Sequence, residues 1–207
     1  MEPTEPTART EPTAHPASPR PVIALGEVTL RRFAGEADLP ELLTVIEESL
    51  EHLRPWMAWV AEHSRAQTAE YLATRAERWA SGRDFAYAIV RDGAILGACG
   101  LYRREDSPDG ACEIGYWLHP GATGRGLATR AAAALVEQAF RLPGVEYVEI
   151  VHDPANRASG AVPARLGFTA HLLRRCEAVA PAETGEEQVW RLTRAQAAAR
   201  SATRVRG

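Results

Sequence analysis

The chain has 207 residues, 45% hydrophobic and 25% charged, which bounds it to about one ordinary soluble domain with ragged ends. A net charge of −3, with all 24 basic residues Arg, excludes a general nucleic-acid binder. Cys99, Cys112 and Cys176 are too few and too irregular for a disulfide framework or a zinc knuckle.

Those cysteines fit a reducing cytoplasm. No apolar run approaches the roughly 18–20 residues of a membrane span, so no membrane partner is expected. The charged, Pro-rich N-terminus lacks the apolar stretch of a signal peptide.

Residues 1–20 repeat Glu-Pro-Thr from Glu2, Glu5 and Glu11 and hold almost nothing apolar, so a disordered arm is expected. Val28 and Leu30 alternate within 28–33, which reads as a strand. Asp38 precedes Leu39, Leu42, Leu43, Ile46 and Leu50, a helical stripe that ends near His52 and is broken by Arg54-Pro55. A second helix is predicted over 64–79, closed by Ser81-Gly82. Strands 85–91 and 95–102 flank Asp92-Gly93, a strong hairpin signal. A third strand, 112–118, follows a loop around Pro108, Asp109 and Gly110. A Gly-rich turn then leads into a helix over 127–141, stopped by Pro143-Gly144. The β-branched run 145–151 is a strand, 159–165 a short helix ending at Gly167, and 169–177 and 188–192 are two final strands. The Ala- and Arg-rich tail, 194–207, is expected to fray. The folded part, 21–193, is thus an α/β domain of order β-α-α-β-β-β-α-β-α-β-β, with a mixed sheet covered by helices on both faces.

The run from Glu113 to Ala128 passes from strand through turn into helix. Gly124 and Gly126 let backbone amides converge without a Cβ in the way, and the helix behind adds its N-terminal partial positive charge. That combination binds a pyrophosphate, with Arg125 as a charged contact; a plain tight turn is the competing reading. The turn is not a P-loop, because Gly-Lys-Ser/Thr is absent. Nor is it a Rossmann fingerprint, because hairpin-joined strands precede it and the third glycine is missing. No Gly-x-Ser-x-Gly elbow points to a hydrolase. His119 and His152 follow strands, but no further ligands at metal spacing accompany them, so no metal site is expected.

On these residues the chain resembles the GNAT superfamily of acyl-CoA-dependent N-acyltransferases. Thr123-Gly-Arg-Gly-Leu-Ala128 matches that family's Gln/Arg-x-x-Gly-x-Gly/Ala except at Thr123. A second segment, from Val148 through Asn156 and Ser159 to Arg165-Leu-Gly-Phe168, is similar to the closing motif of the RimJ/RimL-type branch. That branch includes enzymes acetylating ribosomal-protein N-termini. The segment from His52 to Trp59 resembles the same branch's acceptor-side loop. The resemblance spans about residues 27–192.

It implies a GNAT fold in which the strands on either side of the crossover helix splay apart around the pantetheine of acetyl-CoA. Backbone groups of Tyr116, Trp117 and Leu118 would hold that arm, and Thr123, Gly124, Arg125, Gly126, Leu127 and Ala128 the pyrophosphate. Asn156 would bond the pantetheine and Ser159 lie near the sulfur, although both residue types also favour helix capping. Many members place a Tyr acid four residues beyond the Ser159 position. Here Pro163 stands there, so Ser159 or a water protonates the thiolate, and a proline this close to the N-terminal turn removes no essential hydrogen bond. For the base, Glu113 and Glu149 sit on predicted strands, where an Arg-paired structural carboxylate is the alternative for each. Glu113 is preferred, because the resemblance places a base on its strand. Trp56, Met57 and Trp59 are candidates for the acceptor pocket, with ordinary core packing as the other reading.

The expected activity is acetyl transfer from acetyl-CoA, without metal and through a ternary complex, to a protein or peptide N-terminal amine. An α-amine with a pKa of roughly 7.7–8.0 loses its proton at pH 7 for about 1 kcal/mol, against nearly 5 for lysine at about 10.4. A small-molecule amine acceptor and a catalytically silent acyl-CoA-binding module are the rivals. The chain is expected as a monomer or homodimer, with no direct nucleic-acid partner.

Overall fold

Apolar alternation and turn chemistry build one eight-stranded sheet within residues 18–103 and 110–205, which the computed structural model describes. The strands are β1 (Val22–Leu25), β2 (Val28–Arg32), β3 (Asp84–Arg91), β4 (Ala94–Tyr102), β5 (Ala111–Leu118), β6 (Tyr147–His152), β7 (Thr169–Arg175) and β8 (Glu186–Thr193). They lie in the order β1-β2-β3-β4-β5-β6-β8-β7, and every neighbouring pair is antiparallel except β5 and β6. Helices α1 (Leu39–Glu47), α2 (Leu50–Leu53) and α3 (Arg65–Ala80) precede β3, α4 (Leu127–Ala139) and α5 (Arg157–Leu166) flank β6, and α6 (Arg194–Val205) follows β8. No helix among the described residues is long and apolar enough to cross a membrane.

Strand alternation sorts side chains between two cores. Cys112, Ile114 and Leu118 of β5 join Leu127, Ala131 and Leu135 of α4 on one face. Trp117 turns to the other face, where Leu42 and Ile46 of α1 and Leu72 of α3 meet Ala86, Ala88 and Ala98. The parallel ladder between β5 and β6 has three pairs, Ala111–Tyr147, Cys112–Val148 and Glu113–Glu149. Beyond them β5 continues to Leu118 and β6 to His152 with no ladder between, so the strands splay.

The expected order holds, with three additions. Val22–Leu25 forms an edge strand through a tight turn at Gly26 and Glu27. The first helix is interrupted at Ser49, whose buried hydroxyl donates back to the Val45 carbonyl at 2.6 Å, a bond that bends helices. Residues 194–205 do not fray but form α6. Thr193 and Gln196 make a reciprocal capping box: Gln196 Oε1 accepts from the Thr193 N–H at 2.8 Å, and Thr193 Oγ1 from the Gln196 N–H at 3.3 Å. Arg194 donates to the carbonyls of Phe140 and Val145 and ties the helix start to the domain.

Asp38 does not cap α1; its carboxylate takes both Nη atoms of Arg31 at 2.8 Å and the Ala34 N–H at 2.6 Å. Most of the expected disordered arm, residues 1–17, and the expected loop around Pro108 and Asp109 lie outside the described residues. The last residue of that arm is held: Arg20 donates its N–H to Gln138 Oε1 at 3.0 Å and accepts from the Tyr87 hydroxyl at 2.8 Å.

Candidate active site

The splay opens a cleft of about 740 Å³ between the start of α4 and α5. Thr123, Gly124, Gly126, Leu127 and Ala128 lie along it. Gly124 and Gly126 both have φ +72°, a conformation suited to glycine, and a Cβ at either position would meet no protein atom within 4 Å. The first bond of α4 is Arg130 N–H to Gly126 C=O at 3.0 Å, so the N–H groups before Arg130 at the helix start have no helical partners. This cradle suits a pyrophosphate. Thr123 contributes backbone, because its hydroxyl donates to the Pro120 carbonyl at 2.8 Å. Arg125 is exposed and does not line the cleft. Arg130 and Arg165, which sequence reasoning passed over, do line it, and Arg130 also pairs with Glu27 at 3.0 Å.

Across the cleft, Asn156 caps α5 by accepting the Ser159 N–H at 3.1 Å, and it also lines the cleft. Pro163 is well inside α5, not in its first turn, and its missing N–H is the one that would serve the Ser159 carbonyl. The Tyr116 hydroxyl reaches from β5 to supply that bond at 3.1 Å and lies 3.3 Å from Ser159 Oγ. Burial pushes the Tyr116 phenol up to about 12, partly offset by the Ser159 hydrogen bond, so it is protonated and able to donate at neutral pH.

A second cavity, of about 540 Å³, lies on the α1–α3 face. The two cavities share Met57, Tyr116 and Trp117. Of the three residues expected at an acceptor pocket, Met57 and Trp59 line this second cavity, with the Trp59 and Trp117 rings 6.1 Å apart, while Trp56 lines the α4–α5 cleft. Tyr102 lies across Gly115, where a Cβ would sit 3.1 Å from its ring. Burial raises Tyr71 to about 12 and holds the Cys99 thiol and Tyr102 phenol well above their ordinary ranges. Glu62 and His63 also line the wall, and His63 Nε2 is buried with no hydrogen-bond partner. No sequence motif marked either residue.

Glu113 and Glu149 form the last rung before the splay, and neither lines either of these two cavities. Glu149 Oε1 accepts from Arg191 Nε at 3.0 Å and Nη2 at 2.8 Å, while Arg191 stacks over Tyr147 at 3.9 Å. That is the Arg-paired structural arrangement. Both ring nitrogens of His152 are engaged, Nε2 by the Trp190 N–H at 2.9 Å and Nδ1 with the Asp153 carbonyl at 2.7 Å. Among the described residues no group of three or more His, Cys, Asp or Glu could hold a metal ion.

Comparison with known proteins bears on the family and the fold. The family model described as an acetyltransferase (GNAT) domain matches residues 27–169. YdaF of Bacillus subtilis (strain 168), which carries a provisional ribosomal N-acetyltransferase name, is 29% identical over 141 residues, covering 66% of this chain and 75% of its own. Among solved structures, Mycobacterium smegmatis RimJ in complex with CoA-disulfide superposes with a TM-score of 0.77 at 24% identity, covering 88% of this chain and 91% of that one. RimL, a ribosomal-protein α-N-acetyltransferase in complex with coenzyme A, gives 0.75 at 21% identity, covering 83% and 97%.

Proposed function

The chain belongs to the acetyltransferase (GNAT) domain family, and on that premise we propose that its acceptor is the α-amine of a protein or peptide N-terminus. It is an acyltransferase with acetyl-CoA as co-substrate. The observation that carries the reading is the meeting of two cavities at Met57, Tyr116 and Trp117, where a donor and an amine can approach each other directly. Support for the acceptor comes from the ribosomal N-acetyltransferase name of the Bacillus relative and the RimJ/RimL-like segments.

Acetyl-CoA supplies a thioester carbonyl and a thiolate leaving group. The amides of Gly124 to Ala128, with the start of α4, hold the pyrophosphate. Backbone groups of Tyr116 to Leu118, on the strand edge freed by the splay, hold the pantetheine. The amine nitrogen forms the new C–N bond as the C–S bond breaks. Ser159 Oγ–H protonates the sulfur and regains its proton from water, while Tyr116, whose one proton is on the Ser159 carbonyl, fixes the serine's position. The amine proton leaves to His63 Nε2 directly or through water. Cys99 and Cys112, their thiols raised by burial, are too weakly ionised to form an acyl-enzyme, which favours direct attack in a ternary complex.

Thiol release from acetyl-CoA tests this, comparing a pool of N-terminal peptides with a pool of polyamines and aminoglycosides. Release with peptides is expected. Release with small amines alone replaces the acceptor, and acetyl-CoA binding without release from either pool makes the chain a silent module.

A further inference from the structure

The cavity on the α1–α3 face is far larger than an amine needs. It holds about 540 Å³, whereas about 150 Å³ already accommodates a benzene ring. Phe33, Leu42, Ile46 and Tyr71 line it, and Ala98 and Gly115 lie on its sheet side, where neither residue projects bulk into the space. Tyrosine hydroxyls, the Trp59 and Trp117 indole N–H groups and the Cys99 thiol apart, its polar side chains come from one segment, Glu62, His63, Gln67 and Thr68, so the remaining wall is apolar. The amine belongs at the other landmark, the Met57–Tyr116–Trp117 junction with the donor cleft.

We propose that this cavity receives a large apolar or aromatic side chain carried by the acceptor's first residue, the residue whose amine is acetylated. The inference rests on the acceptor being an N-terminus. A Ser or Ala side chain removes little apolar surface from water here and leaves most of the volume unfilled. A Leu, Met or Phe side chain transfers its whole apolar area into the cavity, a gain that corresponds to about 10- to 100-fold in kcat/KM. The four polar residues at 62–68 then face the peptide backbone that follows.

The test is a series of otherwise identical, hydrophilic peptides beginning with Ser, Ala, Leu, Met or Phe, each assayed with acetyl-CoA for acetylated product by mass. Leu, Met and Phe peptides are expected to exceed Ser and Ala by about tenfold or more in kcat/KM. Equal rates across the series, or faster Ser and Ala, overturn the inference while leaving N-terminal acetylation intact. Acetylation of polyamines with no peptide modified overturns the acceptor reading and the inference together. Ala98→Leu, which projects into this cavity and not into the donor cleft, should bring the ratio towards one while acetyl-CoA still binds. A ratio unchanged in that variant, if it folds, places the selectivity elsewhere; if it does not fold, the peptide series on the unaltered chain decides.

Discussion

The Tyr116 hydroxyl donates to the Ser159 carbonyl at 3.1 Å, in the place of the N–H that Pro163 lacks. One phenol therefore repairs a helix and stands 3.3 Å from the hydroxyl proposed to protonate the leaving thiolate. Tyr116→Phe leaves a partly buried carbonyl unsatisfied, at about 1–3 kcal/mol, and should also lower kcat. Pro163→Ala in that background restores the helical donor. Thermal stability should then return while kcat stays low, and a recovered kcat would confine Tyr116 to a structural role.

Ser159→Ala should reduce kcat with acetyl-CoA affinity nearly unchanged, because Asn156 still accepts the residue's backbone N–H. Calorimetric titration of acetyl-CoA beside steady-state rates checks both parts. An unchanged kcat removes the hydroxyl from the proton path.

Gly126→Ala forces a left-handed conformation on a residue with a Cβ, at about 1–2 kcal/mol, and sets a methyl group beside the amides proposed to hold the pyrophosphate. Its acetyl-CoA Kd should rise about tenfold or more. A wild-type Kd would show that those amides do not carry the contact.

His63→Gln and Glu149→Gln should separate chemistry from scaffolding. The first should lower kcat with little change in melting temperature. The second should weaken the Arg191 pair and lower melting temperature while leaving kcat nearly unchanged. The reverse pattern would make Glu149 the base.

Acid stability should depend on Asp38. Burial acts to raise its pKa, but the Arg31 side chain and the Ala34 N–H outweigh it and hold the carboxyl below its ordinary value. The fold thus favours the carboxylate. This stabilisation is present above about pH 4, where the unfolded group is also ionised, and is lost as pH falls through the lower folded value. Asp38→Asn should cost roughly 2 kcal/mol at pH 7 and show a smaller further loss of stability on acidification. Urea midpoints at pH 7 and pH 3 measure it.

Local chemistry made much of this legible in the sequence. Asp92-Gly93 turns the β3–β4 hairpin, Gly126 opens α4, and Asn156 with Gly167 bounds α5. Thr193 and Gln196 were just as legible as a capping box, but the Ala- and Arg-rich composition around them reads as a tail. The cavity on the α1–α3 face had no local signal. Its walls come from positions as distant as Phe33, His63 and Trp117, and only sheet register and helix packing bring them together. The Tyr116–Ser159 bond likewise spans 43 residues.

Three rungs join β1–β5 to β6–β8, and past Glu113 and Glu149 the two groups of strands are separate rafts moored at one end. A pantetheine arm held in the gap, as proposed, would moor the other end, so donor binding should slow amide exchange along 114–118 and 150–152, well away from the phosphates. At a hundred times Kd it should add about 2.7 kcal/mol to the resistance of the whole sheet to unfolding. Coenzyme A carries the same arm after it has given up its acetyl group. Transfer therefore does not slacken the mooring, and each turnover should wait on coenzyme A drifting out before the rafts are free to take on the next donor.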